Sequence, residues 1–161
     1  MADPALRFAP MDARSRSDAY ALLGAFLAED PHYRAAAAQY GDGGLPALAR
    51  ALDLFLAHPE IGFVWLAHAT DGTAVGGCVA CYAISTSRGA RVAKLDDVTI
   101  RRDWQQRGVG SALLRALATH LRAHGVSRID TACHRDNADA WRFYERLGFR
   151  PLHEERLALL L

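Results

Sequence analysis

The sequence predicts an α/β (α+β) chain with a central, mixed and mostly antiparallel twisted sheet of six to seven strands, flanked by about four helices. Three observations carry that expectation. Amphipathic stripes at helical spacing precede any long strand-like run, an Asp71-Gly72 turn joins two long β-branched or small-apolar runs, and everything after residue 90 alternates strand with helix. The 161 residues, 51% of them apolar, suit one continuous core, so the whole chain 1–161 is expected to form a single domain.

Residues 6–9 suit a first strand, and Asp12 is placed to cap the segment that follows. Ala19, Leu22, Leu23, Phe26 and Leu27 then recur at the spacing of an amphipathic helix. A second stripe, Leu45, Leu48, Leu52, Phe55 and Leu56, opens with Pro46 in its first turn and closes near Pro59. Between these two helices, residues 29–44 are polar, glycine-bearing and weakly helical, and read as a mobile loop. Residues 62–69 and 74–85 should pair antiparallel across Asp71-Gly72, and after a turn near 87–90 residues 92–100 extend the meander, with Asp96 and Asp97 in mid-run. From Val109 a helical stripe runs through Leu113, Leu114, Leu117 and Leu121 to a capping Gly125. Strand 128–133 follows. A helix then starts at Asp136 or Asn137, sets Ala140, Trp141, Tyr144 and Leu147 on one side, and ends at Gly148 with Phe149 behind it. Residues 156–161 are expected to close the sheet as its last strand.

Nineteen basic and 18 acidic residues leave a net charge of +1, too little to gather nucleic acid or an anionic membrane. No segment reaches the roughly 18 apolar residues of a membrane span, and the N-terminus carries no basic stretch leading into an apolar run, so a soluble, cytoplasmic protein is expected. Cys78, Cys81 and Cys133 make an odd count and are expected to stay reduced. Cys78 and Cys81 have the spacing of a zinc or redox pair, but inside an apolar strand residues three apart face opposite ways, which favours two small core residues. The seven histidines read as scattered, without the paired spacing of metal ligands, and no metal is assigned.

Chemistry concentrates in Gln105-Gln106-Arg107-Gly108-Val109-Gly110-Ser111, between a strand end and a helix start. A helix N-terminus offers unpaired N–H groups and partial positive charge, glycines let an anion approach the backbone, and Arg107, with Arg101 and Arg102 nearby, adds mobile charge. A diphosphate or similar anion is the expected ligand. Alone, G-x-G does no more than shape a turn. A dinucleotide-binding unit has a claim through Asp130, twenty residues beyond Gly110, but Leu113 stands at its third glycine and residues 101–107 are too long for its tight turn. A triphosphate loop lacks its Gly-Lys-Ser or Gly-Lys-Thr.

Four signals in order, Asp96-Asp97-Val98-Thr99-Ile100, Gln105-x-x-Gly108-x-Gly110, Asn137-x-x-Ala140-x-x-Phe143-Tyr144 and Leu147-Gly148-Phe149, resemble the GNAT superfamily of N-acetyltransferases. The resemblance covers residues 92–150 by motif and the rest by element order. It implies a GNAT-like fold with acetyl-CoA as donor, its pyrophosphate bound by the backbone of Gln105, Gln106, Arg107, Gly108, Val109, Gly110 and Ser111. It also implies that the preceding strand, splayed from its neighbour, offers Val98, Thr99 and Ile100 to the pantetheine arm, that Asn137 contacts CoA, and that Tyr144 protonates the departing thiolate. In the ribosomal-protein type of the family a glutamate stands five residues before the asparagine. Here that position is Ala132, and the acidic pair instead resembles that of polyamine-type members.

The chemistry makes matching demands. An amine of pKa about 10.4 attacks only after losing a proton, for which Asp96 or Asp97 is the candidate base, directly or through water. Tyr144 is the candidate acid, and the Val98 N–H the candidate oxyanion donor. Blander roles stand beside these: Asp96 and Asp97 as solvated strand positions paired with Arg91 or Lys94, Tyr144 as half-buried packing, Asn137 as a plain cap. Strand alternation sets the two aspartates on opposite faces unless a bulge intervenes. The expected function is acetylation of a primary amine, on a small molecule, without metal. A non-catalytic acyl-CoA sensor and a protein lysine or N-terminal acetyltransferase are the alternatives. Acceptor choice is expected from residues 12–57, including His32, Tyr33, Arg34, Tyr40 and Asp42, and the apolar 157–161 segment either completes its own sheet or pairs across a homodimer.

Overall fold

In a computed structural model describing residues 5–161, five strands lie side by side in chain order: β1 (Leu6–Pro10), β2 (Gly62–Ala69), β3 (Ala74–Ser85), β4 (Ala90–Ile100) and β5 (Val126–Thr131). The first four pair antiparallel. β4 and β5 pair in parallel, because helix α4 (Val109–Ala123) carries the chain back across the sheet between them. Before β2 come α1 (Arg16–Glu29), α2 (Pro31–Tyr40) and α3 (Gly44–Ala57), and after β5 comes α5 (Ala138–Arg146).

Strand alternation sorts the core into two layers. One face, with Phe63, Trp65, Cys78, Ala93 and Leu95, meets Val109, Leu113, Leu117 and Leu121 of α4. The other, with Val64, Leu66 and Val79, meets Leu22 and Leu23 of α1 and Leu48 and Leu52 of α3. The stripes of α1, α3 and α4 are therefore buried as their periodicity requires. Cys78 lies in the first layer and Cys81 packs against the second, so the two thiols cannot share a ligand.

Three expectations change. Residues 29–44 are not a loop but hold α2, whose start and stop are built from local chemistry. The Asp30 carboxylate accepts from Tyr33 N at 2.7 Å, Pro31 occupies the first helical position, and Gly41 ends the helix at φ 67°. Asp12 accepts from the Arg14 and Ser15 N–H groups at 2.9 Å each, shaping the turn ahead of α1 rather than capping the helix, which begins at Arg16. Residues 156–161 form no strand, so the sheet has five strands instead of six or seven. Gly148 (φ 93°) does turn the chain after α5, and Phe149 N then donates to Tyr144 O at 3.1 Å. Beyond it the chain crosses toward α2, where Leu160 rests on Gly41, and it leaves Leu157 and Leu159 95% and 84% exposed. Nothing among the described residues pairs with the outer edge of β5.

Candidate active site

The β4–β5 pairing ends at Leu95 opposite Thr131, while β3 stays paired with β4 as far as Ile100. From Asp96 to Ile100 the β5 side of β4 therefore has no neighbouring strand. The Thr131 hydroxyl, donating to Leu95 O at 2.9 Å, marks where the strands part. The gap runs toward the N-terminus of α4, and a short 3-10 turn, Arg102–Trp104, leads into it.

At that helix start Gln106 (φ 58°) and Gly108 (φ 77°) both take left-handed backbone conformations, turning the chain so that the first N–H groups of α4 point outward without intrahelical acceptors. The Gln105 side chain donates to Ile100 O at 3.1 Å and ties the loop to the strand end. Gly110 faces Phe143 of α5: an added Cβ would lie 3.3 Å from the ring, so glycine allows α5 to close on the cradle. Arg107 lies 5.4 Å from the Trp104 ring centroid and is held at the rim. Arg101, expected to add free positive charge, is instead engaged by both carboxylate oxygens of Asp103, at 3.2 and 2.8 Å. A residue at 110 that must be small, unpaired N–H groups and a rim guanidinium fit a bound diphosphate.

The acidic pair sits on a bulge. Gly77 pairs with Thr99 and Val79 with Asp96, so Cys78 opposes two residues, Asp97 and Val98, and Asp97 takes φ 54°. Leu95 and Val98 both pack on the α4 layer although they are three apart. The extra residue cancels the alternation that should set the aspartates on opposite faces, and both fall on the face that carries α1 and α3. Their surroundings differ. Asp96 meets Lys94 at 2.9 Å and Arg156 at 3.8 Å. Asp97 has no ion-pair or hydrogen-bond partner among the described residues, and burial, reinforced by Asp96, pushes its carboxyl from an ordinary 3.8 up to about 6.

Tyr144 stands on the opposite wall, wedged edge-to-face between Phe143 and Phe149 with ring centroids 5.2 Å away in each case. Burial raises its hydroxyl to about 12 against the opposing influence of the neighbouring Thr131 hydroxyl, and the charge of Asp96 is near enough to contribute. The phenol therefore holds its proton at neutral pH. Asn137 spends its side-chain oxygen capping α5, accepting from Ala140 N at 3.2 Å, and no described residue accepts from its amide nitrogen.

The α2 side closes the remaining end. His32 of α2 meets His134 with centroids 5.0 Å apart, Tyr33 stacks on Tyr40, and Tyr33 feels the charges of Asp42 and Asp97, which together with burial raise its phenol. Glu155 bridges to Arg135, and Arg156 reaches Asp96. Trp104, Thr131, His134 and Arg156 were absent from the sequence-based site. Trp104 lies three residues before Arg107, a readable clue, whereas the approach of Arg156 depends wholly on tertiary path. Among the described residues no group of three or more His, Cys, Asp or Glu is placed to hold a metal, and no helix is long and apolar enough to cross a membrane. The histidines are nonetheless not all scattered: His120, in the last turn of α4, and His124, its C-cap residue, lie four apart with ring centroids 4.3 Å apart.

The Asp97 environment yields a stability expectation with a definite sign. Its folded value is raised, so its stabilising contribution is present below the unfolded value near 3.8 and is lost as pH rises through about 6. Above that range the buried charge costs on the order of 2–3 kcal/mol. Asn tolerates the left-handed backbone at this position. Asp97→Asn should therefore gain roughly 2 kcal/mol in urea unfolding at pH 8 and almost nothing at pH 3.5; an equal gain at both would disprove burial of the charge.

No curated protein sequence matches the chain. Solved structures match over nearly its full length. An acetyltransferase from Trypanosoma brucei is 23% identical with TM-score 0.70, covering 98% of this chain and 100% of its own. The ribosomal-protein-alanine N-acetyltransferase of Brucella melitensis biovar Abortus is 17% identical with TM-score 0.72, covering 97% and 99%. AAC(6')-Iy in complex with the bisubstrate analogue CoA-S-monomethyl-acetylneamine is 18% identical with TM-score 0.72, covering 98% and 97%. At such identities these show the fold alone. The family is shown by sequence, because the family model described as Acetyltransferase (GNAT) family matches residues 23–149, the span that contains the cradle, the bulged strand and Tyr144. This chain belongs to the GNAT family of acetyltransferases.

Proposed function

We propose that the protein transfers the acetyl group of acetyl-CoA directly to a primary amine on a small molecule, in the cytoplasm, with Asp97 as base and Tyr144 as acid. The observation that carries this reading is the bulge, which seats the buried Asp97 carboxyl, without an ion-pair or hydrogen-bond partner among the described residues, in the β4 segment that borders the strand gap, while Tyr144 holds a proton on the facing wall. When bound, acetyl-CoA supplies the activated thioester. The α4 N–H groups and Arg107 hold its diphosphate, Asn137 offers its free amide nitrogen, and the unpaired edge of β4 at Val98, Thr99 and Ile100 aligns the arm between the aspartates and Tyr144. The Val98 N–H is the donor we assign to the developing oxyanion.

A carboxylate of pKa about 6 is ionised at neutral pH yet basic enough to take a proton from an ammonium acceptor, which favours Asp97 over the doubly paired Asp96. The Tyr144 hydroxyl then protonates the leaving sulfur. A small acceptor is favoured because α2, the His134 loop and the Glu155–Arg156 segment narrow that end of the gap. The test is free-thiol release from acetyl-CoA with a panel of aliphatic amines, amino sugars and short peptides. Turnover confined to small amines is expected. Acetyl-CoA binding without thiol release across the panel would reduce the protein to a sensor, and peptide turnover alone would overturn the small-molecule reading.

A homodimer is part of the same proposal. The outer edge of β5 is unpaired beside an apolar cavity of about 80 Å³ lined by Leu114, Ala118, Ile129, Leu147 and Phe149. The exposed Leu157, Leu159 and Leu161, spaced two apart, suit a partner copy's added strand there. Light scattering should give twice the chain mass for the native protein and one chain mass for Leu157→Asp/Leu159→Asp. A native monomer at tens of micromolar would exclude the dimer.

A further inference from the structure

The far end of α4 carries a feature the acetyl-transfer chemistry does not use. His120 and His124 are separated by one helical turn, with ring centroids 4.3 Å apart and planes inclined by 35°. His124 Nδ1 lies 2.7 Å from His120 O, a contact that only an Nδ1–H can make, so the lone pair of that ring is on Nε2. His120 is held from behind by Trp65 and Phe63, at centroid distances of 4.8 and 5.4 Å. Burial, with His124 beside it, lowers its basicity, so it is neutral at pH 7. Neither ring has a carboxylate partner among the described residues. The charged neighbour is Arg91, which donates to His124 O at 2.7 Å and is held over Tyr82, 5.0 Å from its ring centroid.

We propose that His120 and His124 form a two-imidazole chelate for a divalent transition-metal ion of the copper, nickel or zinc class, with water completing the coordination. Two histidines four apart on one helix face can direct nitrogens at a single ion. Imidazole is the ligand type these metals prefer. The His124 hydrogen bond to a backbone carbonyl is the outer contact that fixes the tautomer and ring orientation of metal-ligating histidines. The aromatic wall of Trp65 and Phe63 restricts His120 in the same way, lowering the ordering cost of chelation. The pair lies about 15 to 21 Å along the α4 axis from Gly110, so an ion there leaves the cradle untouched.

The experiment is calorimetric titration of the chelator-treated full chain with CuCl2, NiCl2 and ZnCl2, followed by electron paramagnetic resonance at one equivalent of Cu²⁺. One ion per chain is expected, with Cu²⁺ tightest. Affinity should fall about tenfold or more in His120→Ala and in the exposed variant His124→Lys. The spectrum should report two coupled nitrogens in the native protein and one in His124→Lys. His32→Ala, which disrupts the other close histidine pair, should change neither. Matched thermal unfolding without metal checks that the variants fold, and His124→Lys sits at a surface position where folding is not at stake. Absence of micromolar binding, or binding that survives both substitutions at α4, overturns the proposal, as does binding lost with His32→Ala.

Discussion

Gly110→Trp is expected to weaken acetyl-CoA binding by about a hundredfold or more, which is at least about 2.7 kcal/mol. The reason is steric and local. The first side-chain carbon would already lie 3.3 Å from Phe143 and 3.7 Å from Ile100, so an indole has nowhere to go except across the N–H groups of α4. Calorimetric titration with CoA and with acetyl-CoA measures the loss, and an unchanged circular dichroism spectrum separates it from unfolding. Binding within threefold of the native value would mean that the anion does not sit at this helix start. The Gly110→Ala variant serves as a graded control, since the Phe143 ring needs to shift only a few tenths of an ångström.

Tyr144→Phe is expected to lower kcat roughly a hundredfold while leaving the acetyl-CoA Kd within about threefold, the pattern of a group that acts only in the transition state. Phenylalanine preserves the two edge-to-face contacts with Phe143 and Phe149 and removes only the hydroxyl that carries the proton. Asp97→Asn supplies the complementary signature. In the native enzyme kcat/KM should rise with pH through about 6, as Asp97 loses its proton and becomes able to accept one. The variant should lack that limb. A pH limb retained in Asp97→Asn would move the base elsewhere, with Asp96 next in line.

The parts of the fold legible in the sequence were those where one physical rule acts alone. Leu113, Leu114, Leu117 and Leu121 repeat with helical spacing because α4 rests on the sheet by one face, and Asp71-Gly72 marks a hairpin through turn chemistry. Helix α2 was also written locally, in Asp30-Pro31 and Gly41, but it buries no residue fully, and a search led by apolar periodicity passes over it. The last expected strand failed for the opposite reason. Leu157 to Leu161 are apolar enough for a strand, but pairing needs a neighbour, and neighbours are not encoded in a segment's own composition.

At the site, the cradle was visible as a motif because glycine, arginine and a helix start are contiguous. The aspartates were visible as residues but not as geometry. Whether Asp96 and Asp97 share a face depends on one extra residue opposite Cys78, and a bulge of that kind is set by the register between β3 and β4, not by either segment alone. The contacts that separate the two acids, Lys94 within the strand and Arg156 sixty residues away, were half local and half dependent on the path of the chain's end.

The neighbour-by-neighbour order of the sheet bears on how the molecule opens. β2, β3 and β4 can assemble hairpin by hairpin, whereas β1 pairs across the three helices that separate it from β2 and β5 joins only after α4 has carried the chain back, so the seam between β4 and β5 divides the local meander from a strand that closes later. The gap that holds Asp97 and Tyr144 is the frayed end of that seam. Amide exchange should be fastest in β4 beyond Leu95, and a ligand lying along the gap with its diphosphate on α4 should slow it on both sides, acting as a removable staple between two cooperative units.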